Sequence, residues 1–200
     1  MNSQRIIEHF RESAELNIQA QALLCEPVSQ AVTMMFTALS NGNRILACGN
    51  GGSAADCQRF ASKLIGRFER ERLPLPAMAL TTDSSTLSGV GNDFGFQSIF
   101  SKQVQAFGQP GDILLAISSS GNASNVVEAA QAALEREMHI IALTGGDGGD
   151  GGVLAQLLTD TDVHICVPHD RVARIQEMHL LVIHCLCDGI DVALFGGDLE

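Results

Sequence analysis

Two cations stand one helical turn apart in LACGNGGSAADCQRFASKLIGRF (46–68): Arg59 and Lys63 share a face of the helix that follows the glycine turn. Far along the chain, in ARIQEMHLLVIH (173–184), Gln176 and His184 lie eight residues apart, about 80° around a helix, so both can face one cleft. Read by itself, His184 on an apolar helix is a satisfied core residue as readily as a functional one. Two further stretches could hold an anion. GNGGSA (49–54) brings Asn50, Gly51, Gly52 and Ser53 to a helix start, where glycines let backbone N–H groups approach negative charge. ISSSGNASN (117–125) supplies the hydroxyls of Ser118, Ser119 and Ser120 with Asn122 at a second helix start, chemistry suited to a phosphate monoester.

GNGGSA also matches the dinucleotide fingerprint G-x-G-x-x-A. That reading wants an acidic residue about 20 positions on, at the end of the second strand. Here that strand ends in LTTD, and Asp83 lies more than 30 residues beyond Gly49. An anion at a helix N-terminus is what remains.

These residues need a scaffold that brings separate turns to one edge. Four short apolar runs read as buried parallel strands: ILACG (45–49), PAMAL (76–80), ILLAIS (113–118) and HIIALT (139–144), with VHICVP (163–168) a fifth. Helical patterns separate them, which predicts an α/β fold with a doubly wound, five-stranded parallel sheet whose ligands sit at the carboxyl ends of the strands. Before the sheet, Ile7, Phe10, Ala14 and Ile18, then Val28, Val32, Phe36 and Leu39 after Pro27, predict two amphipathic helices. The expected organisation is one domain over 1–200, with a helical extension at 1–40 and an α/β core at 41–200. The last helix, about 170–195, is apolar on nearly every side, and one small sheet can hardly cover it, so a homo-oligomer is expected. TGGDGGDGG (144–152) reads as a mobile glycine loop.

Composition narrows the classes. The 200 residues carry a net charge of −11 with only 12 Lys and Arg, which argues against direct nucleic-acid binding. The charged N-terminal stretch lacks a secretory core, and no apolar run approaches the roughly 20 residues of a membrane span, so a cytoplasmic protein is expected. The six cysteines lie mostly in apolar runs and read as reduced core residues.

CGNGGSAAD, LTTDSSTLSGVGNDFGF, GDILLAISSSGN, ALTGGDGG and ARIQEMHLLVIHCLCD, in that order, resemble the sugar isomerase (SIS) domain, specifically the phosphoheptose isomerases and their relative DiaA, the DnaA initiator-associating protein. The resemblance implies a flavodoxin-like SIS fold and a homotetramer with a phosphosugar pocket between subunits, built from Asn50, Gly51, Gly52, Ser53, Asp93, Ser118, Ser119, Ser120, Asn122 and Gln176. It implies a sedoheptulose 7-phosphate-like ligand. In the isomerases, the helix after the glycine turn supplies a His and a Glu that bind zinc with the Gln and His of the last helix. That Glu and the last His also form the acid/base pair.

Gln176 and His184 match the last-helix pair, but Arg59 and Lys63 stand at the positions of the other two. Arg cannot ligate zinc, which takes imidazole, thiolate or carboxylate. A lysine acting as base at neutral pH must shed its proton at a cost of roughly 4 to 5 kcal/mol. The family's phosphate-binding turn also has a Ser where Ala123 stands, with Ser124 one place later. DiaA likewise resembles an isomerase lacking its catalytic Glu, and its DnaA-contacting Leu-Phe pair corresponds to Leu194 and Phe195. The expectation is therefore a phosphosugar-binding, DiaA-like regulator of replication initiation that binds DnaA and uses no cofactor. The alternative is a phosphoheptose isomerase, with zinc if active and with His184, and Lys63 in place of the Glu, as its catalytic candidates.

Overall fold

The apolar runs hydrogen-bond into a five-stranded parallel sheet in a computed structural model that describes residues 3–146 and 150–196. The strands are β1 (Ile45–Gly49), β2 (Ala77–Ala79), β3 (Ile113–Ile117), β4 (His139–Gly145) and β5 (Val163–Val167), in the order β2-β1-β3-β4-β5. Every residue of β1 and β3 is buried because helices cover both faces, which is why these strands read as unbroken apolar runs rather than alternating ones. The order reverses between β1 and β3, whose paired ends are Gly49 and Ile117. Such a switch point opens a crevice beyond the strand ends, the usual ligand position in this architecture.

One face is covered by α1 (Ser3–Ser40), α2 (Gly52–Ile65) and α7 (Val172–Phe195). The other carries α3 (Ser84–Phe94), α4 (Ser101–Phe107), α5 (Ser124–Glu135) and the short α6 (Gly152–Leu157). The expected pair of N-terminal helices is one continuous helix with Pro27 inside it. An internal proline costs about 3 kcal/mol. Leu16, Ala20 and Leu24 before it, and Ala31, Met35 and Leu39 after it, all bury on the same core; at about 1.5 to 3 kcal/mol for each large side chain, keeping both halves docked outweighs the lost hydrogen bond.

α1 and α7 are each long and apolar enough, by length and composition, to cross a membrane. α7 instead directs Ile175, Met178, Val182, Ile183, Leu186 and Ile190 into the core and carries buried Arg174 and Asp191. It is not covered on every side: Val172 and Leu181 remain exposed, as do Phe10, Ile18 and Leu23 on α1. In the glycine loop predicted at 144–152, Thr144 and Gly145 complete β4, while 147–149 lie outside the described residues.

Candidate functional site

The crevice at the switch point is a cavity of about 130 Å³ lined by Asn50, Ser53, Ile117, Ser118, Ser119, Ser120, Ala123 and Gln176. A larger concavity of about 510 Å³ runs along α1 near Thr33, Asn43 and His139, but it lies at the amino ends of the strands, away from the turns that follow β1 and β3. Position, not size, assigns the site.

Its walls come from two turns that follow adjacent strands. Gly49 permits the first: a Cβ there would stand 2.8 Å from Ser53 Cβ and 2.9 Å from the Ile117 carbonyl oxygen, so only glycine lets β1 turn against β3. At Gly52 a Cβ would meet Gln176 Nε2 at 2.7 Å, and its absence seats the Gln176 amide directly on the start of α2. The turns are tied by a reciprocal amide pair, Asn50 Nδ2 donating to Asn125 Oδ1 and Asn125 Nδ2 to Asn50 Oδ1, both at 2.8 Å. Asn125 is wholly buried and was not among the expected site residues, although it ends the quoted serine turn. Only the fold reveals that its partner lies 75 residues away.

Not every expected residue faces the cavity. Asn122 instead braces the turn: its Nδ2 donates to the Ser120 carbonyl at 2.9 Å and its Oδ1 accepts from the Val153 amide at 3.0 Å. Gly51 holds the positive φ of 54° that starts α2. Asp93 is exposed on α3, accepting from Asn92 Nδ2, and takes no part in the cavity wall. Leu194 packs half-buried against the core, whereas Phe195 at the end of α7 is 53% exposed; neither approaches the cavity.

Arg59, Lys63 and His184 form a second cluster farther along the same helices. Both α2 and α7 start at the carboxyl edge of the sheet, so Gln176 meets the first turn of α2 and His184 meets its last. Eight residues separate the two, about 12 Å of helix. Lys63 Nζ sits 4.6 Å from the centre of the Phe68 ring, and that ring lies 5.7 Å from the imidazole of His184. Arg59 Nη1 pairs with Asp56 Oδ1 at 3.1 Å while its side chain stays 42% exposed. Burial of Asp56 raises its carboxyl, partly offset by Arg59. His184 is lowered by desolvation first and then by the charges of Lys63 and Arg59, so it is neutral at pH 7 and its ring can accept a proton.

Arg72 fixes this end and carried no signal in the sequence. Its guanidinium is fully buried, with Nε 2.6 Å from Asp191 Oδ1 on α7 and Nη1 and Nη2 donating to the carbonyls of Leu64 and Lys63 at 2.7 and 2.8 Å. It thus caps the orphan carbonyls of α2 and ties the turn bearing Lys63 to the helix bearing His184.

The four positions that the family resemblance assigns to zinc hold Arg59, Lys63, Gln176 and His184. Only His184 is a usual zinc ligand, and among the described residues no group of three His, Cys, Asp or Glu side chains could hold a metal ion. These residues do not fit zinc.

Residues 4–145 match the SIS domain family. The chain belongs to the SIS family, on its phosphoheptose isomerase branch. It is 58% identical over 192 residues to a phosphoheptose isomerase of Bordetella avium, covering 96% of each chain. It also superposes on the phosphoheptose isomerase GmhA of Neisseria gonorrhoeae with a TM-score of 0.89 and 53% identity, over 94% of this chain and 98% of that one. The corresponding enzyme of Francisella tularensis gives 0.91 and 45%, over 96% and 99%. The doubly wound sheet read from the strand pattern and the SIS fold implied by the motif resemblance are thereby shown, and these relatives favour the isomerase alternative over the regulator.

Proposed function

We propose that this chain binds sedoheptulose 7-phosphate and interconverts it with the corresponding aldoheptose 7-phosphate in the cytoplasm, using fixed cations where the family resemblance implies a metal. The observation that carries this reading is that α7 places Gln176 in the wall of the serine-lined cavity and the neutral imidazole of His184 about 12 Å farther along the same helix. A linear seven-carbon sugar built from bonds of about 1.5 Å covers roughly 8 to 10 Å, enough to bring C1 and C2 near His184 when its phosphate is held by the serine turn.

In this reading His184 takes the proton from C1 of the ketose and returns it to C2. The ene-diolate formed between these steps places its charge against Lys63 and Arg59, while the Lys63 ammonium passes a proton to one oxygen and recovers it from the other. Exposed apolar side chains on α1 and α7, including Phe10, Ile18 and Leu181, support assembly into the homotetramer that the family resemblance implies.

The test is an NMR time course with sedoheptulose 7-phosphate, with and without added zinc. Interconversion that survives a chelator is expected, and its loss in His184→Gln should follow. A second reading is favoured by Arg59 and Lys63 themselves: a chain that has given up the zinc set can keep the sugar phosphate as an effector and act as a DiaA-like regulator. That reading expects no turnover, capture of DnaA, and loss of capture in Leu194→Ala with Phe195→Ala.

A further inference from the structure

Where a metal cation is implied by the family resemblance, this chain presents positive charge of its own, and the preferred ligand changes accordingly. Arg59 and Lys63 carry two positive charges on one face of α2; Asp56 pairs with Arg59 alone, and among the described residues Lys63 makes no ion pair with a carboxylate. The Lys63 ammonium is held over Phe68 rather than in an ion pair. The buried tie through Arg72 fixes its backbone, so the charge is positioned rather than loose. A neutral His184 beside them adds no competing charge and offers an N–H.

We propose that the pocket is selective for a doubly anionic, open-chain sugar: a phosphorylated aldonic acid, with its phosphate at Ser118–Ser120 and its carboxylate between Arg59, Lys63 and His184. The inference rests on the proposed phosphosugar reading for its phosphate end and adds the chemistry of the other. A planar carboxylate at C1 has the shape and charge of the ene-diolate, so the cations that stabilise that intermediate also hold the acid in its ground state. A zinc site would bind the neutral sugar's oxygens by coordination; a guanidinium and an ammonium reward full negative charge.

The experiment is calorimetric titration of the full chain with 6-phosphogluconate, glucose 6-phosphate and sedoheptulose 7-phosphate, with inorganic phosphate as competitor. The aldonate is expected to bind at least about tenfold tighter than the two neutral-headed sugar phosphates, the effect of about 1.4 kcal/mol. The preference should shrink as salt rises. In Lys63→Met, and separately in Arg59→Gln, it should fall toward parity while inorganic phosphate displaces glucose 6-phosphate as before. Equal affinities in the unaltered chain would overturn the inference, as would a preference that survives both substitutions or zinc bound at micromolar concentration. If sedoheptulose 7-phosphate binds without any aldonate preference, this inference alone falls; if no sugar phosphate binds, the phosphosugar reading falls with it.

Discussion

The two clusters that line up along α2 and α7 are built from opposite materials. Where the turns after the adjacent strands β1 and β3 meet, the groups are neutral: glycine backbone, Ser53, Ser118, Ser119 and Ser120, and the Asn50–Asn125 amide pair. In the other cluster Arg59 and Lys63 put full charges on α2 beside the imidazole of His184 on α7, the two helices tied by the buried Arg72–Asp191 pair. The first end is a property of the sheet topology, since any chain that winds this way places two helix starts at the switch point. The second depends on single side chains. Side chains such as Arg59 and Lys63 can therefore vary without disturbing the fold, and the chain keeps 58% identity to a relative named phosphoheptose isomerase.

The comparison breaks most severely at Arg72. Arg72→Met leaves Asp191 buried without a counter-charge, and its Oδ2 already lacks a hydrogen-bond partner among the described residues. Removing one partner of a buried pair costs about 3 to 5 kcal/mol. Urea unfolding should show that loss, together with weakened discrimination at the cationic end from the freed turn of α2. A midpoint within experimental error of the unaltered chain would mean that the ion pair does not hold the two helices.

Between the two ends, α7 is pinned by His179, whose Nε2–H donates to the Thr144 carbonyl at 2.9 Å from a fully buried site. Burial lowers this imidazole to about 4. The folded protein therefore resists protonating it, whereas the unfolded chain takes the proton near pH 6.5, so its contribution is complete above pH 6.5 and is lost as pH falls toward 4. Between pH 6.5 and 5 the loss is roughly 2 kcal/mol. Stability measured across that window should fall less steeply in His179→Gln, and parallel slopes would remove His179 as the acid-sensitive pin.

At the serine-lined end, Asn50→Ala strands the buried Asn125 amide. An unsatisfied buried group of this kind costs about 1 to 3 kcal/mol. Because the pair ties the two turns together, affinity for a sugar phosphate should drop about tenfold, equivalent to about 1.4 kcal/mol. Chemical denaturation and calorimetry on the same variant separate the two losses. Affinity unchanged beside reduced stability would confine the pair to the fold.

These tests also mark what the sequence could tell. Its buried parallel strands read correctly to within about a residue, because two covered faces leave an unbroken apolar run, and with them came the switch point and both helix starts. Pro27 misled, since a local rule for ending helices was overridden by tertiary burial on both sides of it. Asn125 and Arg72 were invisible because their partners lie 75 and 119 residues away. For Arg59 and Lys63 the residue types could be read but not their orientation, which depended on Asp56 and on the ring of Phe68.

The smallest expected effect is the most specific to the cationic end. His184 is lowered by desolvation and then by the charges of Lys63 and Arg59, so removing one charge should move its titration upward without altering the solvent contribution. Followed through the imidazole carbon-bound proton by NMR, His184 in Lys63→Met should titrate at higher pH than in the unaltered chain, and Arg59→Gln should shift it the same way by less, following the order of the two contributions. Added salt should raise it in the unaltered chain and move it little in the Lys63→Met, Arg59→Gln double variant, because screening acts only where charge remains. Asn50→Ala, at the neutral end, should leave the titration where it was. An unmoved His184 in both charge variants would mean that the cations point to solvent, and the contrast between the two ends would then be one of position alone.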